Sequence, residues 1–349
     1  MIGYYVHHHG HGHLHRATVL AEACRLPVVG LSSLPRPAAW TGEWVQLARD
    51  DADQQPRDVS ARGQLHWVPL DDEGLRCRMA ALSAWIAEHR PSVLVSDVSV
   101  EVSLLARLHG VPVVSVVLPG ERGDAAHRAG LGLSSALVSF WPPSARGMVR
   151  GLASADAARL QCLGALSRFG VDELRGDVRR DGAPPGVRRV VVLNGSGGGG
   201  PTADQLDRAR ATSPGWDWQV LGGPAGAWVA DPTTALREAD VVVTHAGQNA
   251  LAEVAAARRP AVVVPQDRPH DEQRTTAGVL ARGGWPAVVH EGWPEVAWGA
   301  RLARASALDG GRWAGWCDGR AVHRFVGVVH AVAAGGDTTG SPSDLRVPS

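Results

Sequence analysis

From Val241 the chain runs apolar to Thr244 and breaks at His245-Ala246-Gly247-Gln248-Asn249. It takes helical spacing over Ala250 to Arg258, then turns apolar again from Ala261 to Val264, where Pro265 stops it. Two short apolar runs, a Gly-containing break and a helical stretch predict strand, turn, helix and strand, which is half of a doubly wound unit. A polar loop follows, ending in Glu272-Gln273. The same alternation fills most of the chain. Strands are predicted at Ile2 to Val6, Pro27 to Leu31, Ser92 to Val95, Val111 to Val117, Ala136 to Trp141, Arg189 to Leu193 and Trp218 to Gly222. Helices are predicted at Leu14 to Cys24, Leu75 to His89, Glu101 to His109, Thr202 to Ala211, from after Gln273 to about Arg282, and Gly319 to Ala334. Met79, Leu82 and Ile86 form the apolar stripe of the second of these. Residues 35–65 are polar and read as a loop region with no decipherable role.

With 349 residues, and domains of roughly 150 residues each, the chain has room for two cores. Cys162 to Phe169 reads as the passage between them, which predicts domains at 1–165 and 166–334. The Gly-, Ser-, Thr- and Asp-rich tail 335–349 is expected to be disordered. Formal net charge is zero and the basic residues are all arginine, so no basic field points to nucleic acid. Cys24, Cys77, Cys162 and Cys317 are far apart, which suggests neither zinc nor a disulfide framework. No signal-peptide pattern and no apolar run of spanning length are present, so a cytoplasmic protein with at most peripheral membrane contact is expected.

Candidate chemistry collects at strand ends, where ligands of doubly wound sheets lie. The break at Gly247 offers backbone N–H groups and a positive helix end, a ready place for phosphate. His245 and Asn249 add donors. Glu253 stands one helical turn beyond Asn249 and fits the hydroxyls of a ribose better than an anion. Asn194-Gly195-Ser196-Gly197-Gly198-Gly199-Gly200 also follows a predicted strand and suggests a second anion loop, with Ser196 its side-chain donor and Gly197 among its backbone groups. Trp228 could stack on a base or fill the core. Near the N-terminus, His7, His8, His9, His11 and His13 are interrupted by Gly10 and Gly12. A metal tract is one reading of such a run, but no carboxylate or Cys is interleaved. A His beside a Gly loop at a strand end can also serve as general base. His13 is the first candidate for that role and His11 the second.

Residues 241–273 resemble the donor-nucleotide motif of UDP-sugar glycosyltransferases with the GT-B fold, of glycosyltransferase family 28 and the UDP-glycosyltransferases. The resemblance is strongest to the bacterial branch that adds N-acetylglucosamine to the lipid-linked peptidoglycan precursor. His245, Gly247, Asn249, Glu253 and Glu272-Gln273 carry it in order and spacing. Gly10, Gly12, His13 and Arg16 are similar to the Gly-x-Gly-His-x-x-Arg opening of many GT-B proteins. The resemblance implies an α/β GT-B fold, two Rossmann-like doubly wound domains facing a cleft, with the final helix crossing back onto the first domain. It implies a donor site of Ser196, Gly197, Trp228, Val229, His245, Ala246, Gly247, Gln248, Asn249, Glu253, Glu272 and Gln273, with Trp228 and Val229 at the uracil. It implies an acceptor loop of Gly10, His11 and Gly12, with His13 as base and Asp97 orienting it. Capping of the next helix is the other reading of Asp97. No Asp-x-Asp pair stands in a Gly-loop context, so an inverting, metal-free transfer is expected, with no metal or other cofactor. The sugar would pass from a UDP- or other NDP-sugar to an unidentified acceptor: a small molecule, a glycan or a lipid-linked hydroxyl. A UDP-sugar hydrolase of the same fold, a nonhydrolysing epimerase and a non-catalytic nucleotide-sugar-binding protein remain as alternatives.

Overall fold

The computed structural model describes residues 1–8, 11–53, 55–174, 186–195 and 199–336, with the side chain of His11 also left aside. Gly10, Ser196, Gly197 and the tail beyond residue 336 therefore lie outside the described residues. The chain forms two compact units. The first comprises Met1–Ser139, Arg150–Leu163 and the chain from Val322 onward; the second comprises Phe140–Val149 and Gly164–Ala321.

In the first unit, β1 (Ile2–Val6), α1 (His11–Ala23), β2 (Val28–Ser32), β3 (Trp44–Gln46), α2 (Glu73–His89), β4 (Val93–Asp97), α3 (Val100–Leu108) and β5 (Val113–Val116) follow in order. Then come the two-residue β6 (Gly120–Glu121), α4 (Ala125–Gly132), β7 (Ala136–Ser139), the two-residue β8 (Val149–Arg150), α5 (Ser154–Arg159) and β9 (Leu160–Cys162). Seven strands form one sheet in the order β3-β2-β1-β4-β5-β7-β9, and each pairing is parallel. Strands β1, β2, β4, β5 and β7 are buried along their whole length. That burial explains their continuous Val, Leu and Ile runs, because helices cover both faces of a parallel sheet. Tyr5, Leu31, Leu82, Trp85, Leu94 and Val113 belong to the core beneath α2 and α3. Strand order reverses direction between β1 and β4, so the crevice of this unit opens where those two strands end.

Three expectations change here. The region 35–65 contributes an edge strand, β3. Beyond the strand predicted at Ala136 to Trp141, a further strand not predicted from the sequence, β9, pairs with β7 and closes the sheet's edge. Helix α1 starts at His11, so Gly12 and His13 stand in a first helical turn and not in a loop. The glycines hid this start, since Gly costs a helix interior about 1 kcal/mol relative to Ala.

In the second unit, β10 (Arg188–Leu193), α6 (Ala203–Ala211), β11 (Trp216–Leu221), α7 (Thr233–Glu238), β12 (Val241–Thr244), α8 (Gln248–Ala256), β13 (Ala261–Val263), α9 (Glu272–Arg282), β14 (Ala287–Val289) and α10 (Trp298–Ser306) follow in order. The five strands pair in parallel in the order β11-β10-β12-β13-β14. Direction reverses between β10 and β12, placing the Gly-rich loop after β10 beside the turn after β12. Thr202 and Gln205 close a reciprocal capping box at the start of α6, which fixes where that loop ends. Trp298 is fully buried against the edge of Trp218, and its indole N–H donates to Pro294 O at 2.9 Å. Burying such a ring contributes on the order of 3 kcal/mol. Several of the tryptophans are thus core filler. The last helix, α11 (Ala321–Ala333), belongs from Val322 onward to the first unit, where Phe325 packs edge-on against Tyr4.

Candidate functional site

The second unit gathers its polar residues at the switch point. Strand β12 delivers His245 at its carboxyl end, and Gly247 is the N-cap of α8 with no side chain capping it. The helix therefore begins with open backbone N–H groups and the positive end of its dipole. Gly247 has φ −74°, so no left-handed turn requires it. Space does: a Cβ there would lie 2.4 Å from His245 Cε1. A Cβ on Gly195, across the crevice after β10, would lie 2.9 Å from His245 Nε2. The imidazole is thus slotted between two glycine backbones.

His245 Nδ1 accepts the Gly247 N–H at 3.0 Å. The proton of the neutral ring is therefore on Nε2, directed at Gly195 and the Gly-rich loop. Burial, and then the nearby Arg268, push the His245 pKa down to about 4. At neutral pH the ring is an uncharged donor. Gly199, at φ +82°, leaves its Cβ position 3.0 Å from Gln266 Nε2, so the far end of the loop also leans on this surface. Ser196 and Gly197 lie outside the described residues.

Asn249 and Gln248 occupy the first turn of α8 and are half-buried, while Ala246 is buried. Glu253, one turn on, is 4% exposed. Its Oε1 accepts Arg168 Nε at 2.6 Å. Arg168 also donates to Ala230 O at 3.3 Å and stacks over Phe169. Burial raises the Glu253 pKa, with Arg168 working against it. Glu253, expected as an open acceptor, thus already holds a cation. Trp228 and Val229 are exposed at 59% and 37%, so Trp228 is not core. Gln273 Oε1 accepts the Gln266 N–H at 2.9 Å, and Gln273 Nε2 is 3.7 Å from the Cβ position of Gly247. Glu272 and Gln273 stand in the first turn of α9 and not in the preceding loop. Two successive left-handed residues, His270 and Asp271, turn the chain into that helix. Sequence reasoning missed Arg268 and Gln266. Both sit in the polar loop after Pro265, where an arginine and a glutamine carry no spacing signal.

The first unit builds its own polar centre where β1 and β4 end. Asp97, the last residue of β4, is fully buried. It accepts Tyr4 Oη at 3.1 Å and Arg16 Nε at 2.9 Å on Oδ2, and Arg16 Nη2 at 3.0 Å on Oδ1. His13 Nδ1 lies 2.9 Å from Oδ1. Burial alone would raise the Asp97 pKa; the charges of Arg16 and His13 hold the carboxyl well below the usual carboxylate range. An ionised carboxylate only accepts, so His13 meets it through Nδ1–H, the tautomer whose neutral ring carries its lone pair on Nε2. Arg16 Nη2 also lies 2.7 Å from His13 Nδ1; with Nδ1 protonated toward Asp97 this contact sets donor against donor, so the carboxylate, shared by both residues, is what holds the ring. The helix-cap reading of Asp97 fails, because Ser99 caps α3 by accepting Val102 N–H. Val98 between them has φ 74°, which for a β-branched residue costs about 1–3 kcal/mol. Burial of Asp97 and the cap at Ser99 together force that turn. Gly12 lies one residue before His13 in α1, and Gly10 falls outside the described residues.

Residues 228–291 match the glycosyltransferase family 28 C-terminal domain, a range that runs from before α7 through β14 and so includes the turn after β12, α8 and the whole of α9. A curated relative is the UDP-N-acetylglucosamine--N-acetylmuramyl-(pentapeptide) pyrophosphoryl-undecaprenol N-acetylglucosamine transferase of Sorangium cellulosum (strain So ce56). It is 31% identical over 240 residues, 59% of this chain. The chain spans 55% of that relative's length. Among solved structures, the glycotransferase of kitacinnamycin superposes with a TM-score of 0.65 at 20% identity, over 95% of this chain and 97% of that one. A Phytolacca americana UGT2 complexed with UDP-2fluoro-glucose and pterostilbene gives 0.61 at 17% identity, over 97% and 96%. Acinetobacter baumannii MurG gives 0.59 at 14% identity, over 94% and 98%. These likenesses identify the fold as that of the GT-B glycosyltransferases. Among the described residues, no helix is long and apolar enough to cross a membrane.

Proposed function

We propose that this chain, a family-28-like glycosyltransferase chain of the GT-B fold, moves a sugar from a nucleoside diphosphate donor, UDP-linked in the first instance, to a hydroxyl acceptor. The observation that carries the proposal is the slot in which Gly195 and Gly247 hold a neutral His245 next to the uncapped start of α8. Backbone N–H groups, an imidazole N–H and the helix dipole there offer donors without a compensating carboxylate, which suits a diphosphate. Asn249 and the Gly-rich loop add to the same cradle. Glu253 lies a turn deeper and suits ribose hydroxyls, with Arg168 as its partner. Exposed Trp228 and Val229 supply the face for the base. Glu272 and Gln273 suit the sugar hydroxyls.

Departure of a nucleoside diphosphate leaves negative charge, which fixed dipoles and donors can stabilise without a metal. On the acceptor side, an ionised Asp97 sets the His13 tautomer, and Nε2 takes the proton of the attacking hydroxyl. Attack opposite the leaving group inverts the anomeric carbon, through a transition state with oxocarbenium character. The acceptor class is left to experiment, with small molecules, glycans and lipid-linked hydroxyls as arms. The test is a thermal-shift panel of UDP-, TDP- and GDP-sugars followed by product analysis of the donor that binds. A donor that raises the melting temperature and yields a glycosylated acceptor supports transfer. Free sugar released without any acceptor assigns hydrolysis instead, and binding without turnover assigns a carrier.

A further inference from the structure

The histidine run carries no interleaved carboxylate in sequence, but folding brings two to it. His8 follows β1 at the open end of the first unit's sheet. Asp50 and Asp51 arrive from the segment after β3. His8 Nε2 is 3.4 Å from Asp51 Oδ2 and 4.0 Å from Asp50 Oδ1. The three ligand atoms all lie within 4.8 Å of one another. They border a pocket of about 180 Å³ that Tyr5, Trp67 and Glu101 also line.

A buried arginine sets this arrangement. Arg78, in the middle of α2 and 2% exposed, donates Nη1 to Asp50 Oδ2 at 2.6 Å and to Tyr5 Oη at 3.1 Å. Its Nε and Nη2 donate to Ala48 O at 3.1 and 2.9 Å, and Nη2 also reaches Ser33 Oγ. The guanidinium is fully engaged and locks the Asp50 carboxylate from one side. The other oxygen, Asp50 Oδ1, is buried and accepts no hydrogen bond among the described residues. It points at His8. A buried carboxylate oxygen left unpaired is costly unless something charged meets it. Ligating carboxylates are commonly held in this way through their second oxygen.

We propose that His8, Asp50 and Asp51 bind one divalent cation of the class that takes imidazole and carboxylate ligands, zinc first, with its remaining position open to the pocket. Ligand atoms about 2.0–2.1 Å from a tetrahedral zinc lie about 3.3 Å apart, close to the 3.4 Å between His8 and Asp51; the 4.0 Å between His8 and Asp50 closes on an ion by side-chain adjustment of His8. One nitrogen and two oxygens suit zinc or manganese better than magnesium or calcium, which take oxygen shells. Arg49 currently holds Asp51, with Nε 2.9 Å from Oδ1 and Nη2 2.5 Å from Oδ2. Its side chain is 58% exposed, so giving up that pair costs little. The ion belongs to the first unit and is separate from metal-free handling of a diphosphate by the second.

The test uses the full chain stripped with chelator and then titrated with Zn²⁺ by calorimetry, with Co²⁺ as a visible-absorption probe. One equivalent is expected. His8→Ala and Asp51→Asn should each weaken it by about 10–100-fold or more, while UDP binding stays as in the wild type. Asp51 is the safer carboxylate to change, since Asp50 pairs with buried Arg78; Asp50→Asn is added with its melting curve. Absence of saturable Zn²⁺ binding would overturn the proposal. So would binding that survives Asp51→Asn at full affinity, because the ion would then be held by other histidines of the run. UDP titration is measured on the same samples, so failure of the metal site and failure of the donor reading are separately visible.

Discussion

Arg168 Nε and Glu253 Oε1 meet at 2.6 Å across 85 residues of sequence, and the pair occupies the place where the family resemblance expects an open carboxylate. Glu253 is paired with a residue that also donates to Ala230 O, next to the exposed Trp228-Val229 segment. The carboxylate is thereby kept ionisable in a buried place and tied to the loop proposed for the base.

The pair gives a pH-dependent prediction. Burial holds the folded pKa of Glu253 above its ordinary value, with Arg168 opposing. A carboxyl raised in the folded state contributes stability at low pH that is lost as pH rises through its folded value. Removing Arg168 raises it further. Arg168→Ala should therefore cost about 1–2 kcal/mol near pH 7, discounted from a fully buried pair because Arg168 is partly exposed. The loss should shrink toward pH 4.5, and Glu253→Gln in the same chain should restore most of it. Denaturant unfolding across pH reads all three.

His245 has the opposite sign. Its pKa falls from 6.5 to about 4 in the fold, so the unfolded chain binds the proton first. Stability from this group is full above pH 6.5 and lost as pH falls toward 4, up to about 1–3 kcal/mol. His245→Gln should flatten that part of the stability curve. It should also weaken nucleotide binding by about tenfold, the loss of one good hydrogen bond to a charged group.

The two glycines that slot His245 should be intolerant of even a methyl group. Gly247→Ala places a Cβ 2.4 Å from the ring and Gly195→Ala one at 2.9 Å. Each should cost about 1–3 kcal/mol of stability or displace the imidazole, and either outcome should weaken nucleotide binding. Gly292→Ala, with open space around it, should leave melting temperature and binding unchanged.

Asp97→Asn should lower turnover about 10²–10⁴-fold with little change in the donor Michaelis constant. It also leaves Arg16 buried without its counter-charge, so a fall in melting temperature is expected alongside. Because Asp97 is held below its usual range, its contribution to stability is present above pH 4 and lost as pH falls further. A donor constant that changes more than turnover would move the base to another residue.

Much of the second unit was legible because its signals are local. The apolar run Val241–Thr244, the break and the helix-forming stretch predicted β12, the turn and α8 to within a few residues, and β13 followed from Ala261. Periodicity reports such features because each depends on neighbours a turn or a pleat away. What stayed hidden depends on partners far along the chain. Arg78 interrupts nothing in the apolar stripe of α2, yet it reaches Asp50 and organises the His8 cluster. Arg168 belonged to a recognisable segment, but its hold on Glu253 needs the fold. The start of α1 was misplaced because glycine and histidine are weak helix formers, and tertiary contacts around Asp97 prevail over that preference. His13 and Asp97 were paired in expectation only through family resemblance; the 2.9 Å contact between them is a property of the folded sheet.

The central claim is a nucleoside diphosphate bound in the second unit at the start of α8. Calorimetric titration of UDP into the wild-type chain and Glu253→Gln, in buffer containing chelator, tests it most directly. One equivalent of UDP should bind the wild type despite the chelator, with affinity at least about tenfold weaker in Glu253→Gln. Equal affinity for the two chains, or no binding of UDP, TDP or GDP by either, would contradict it.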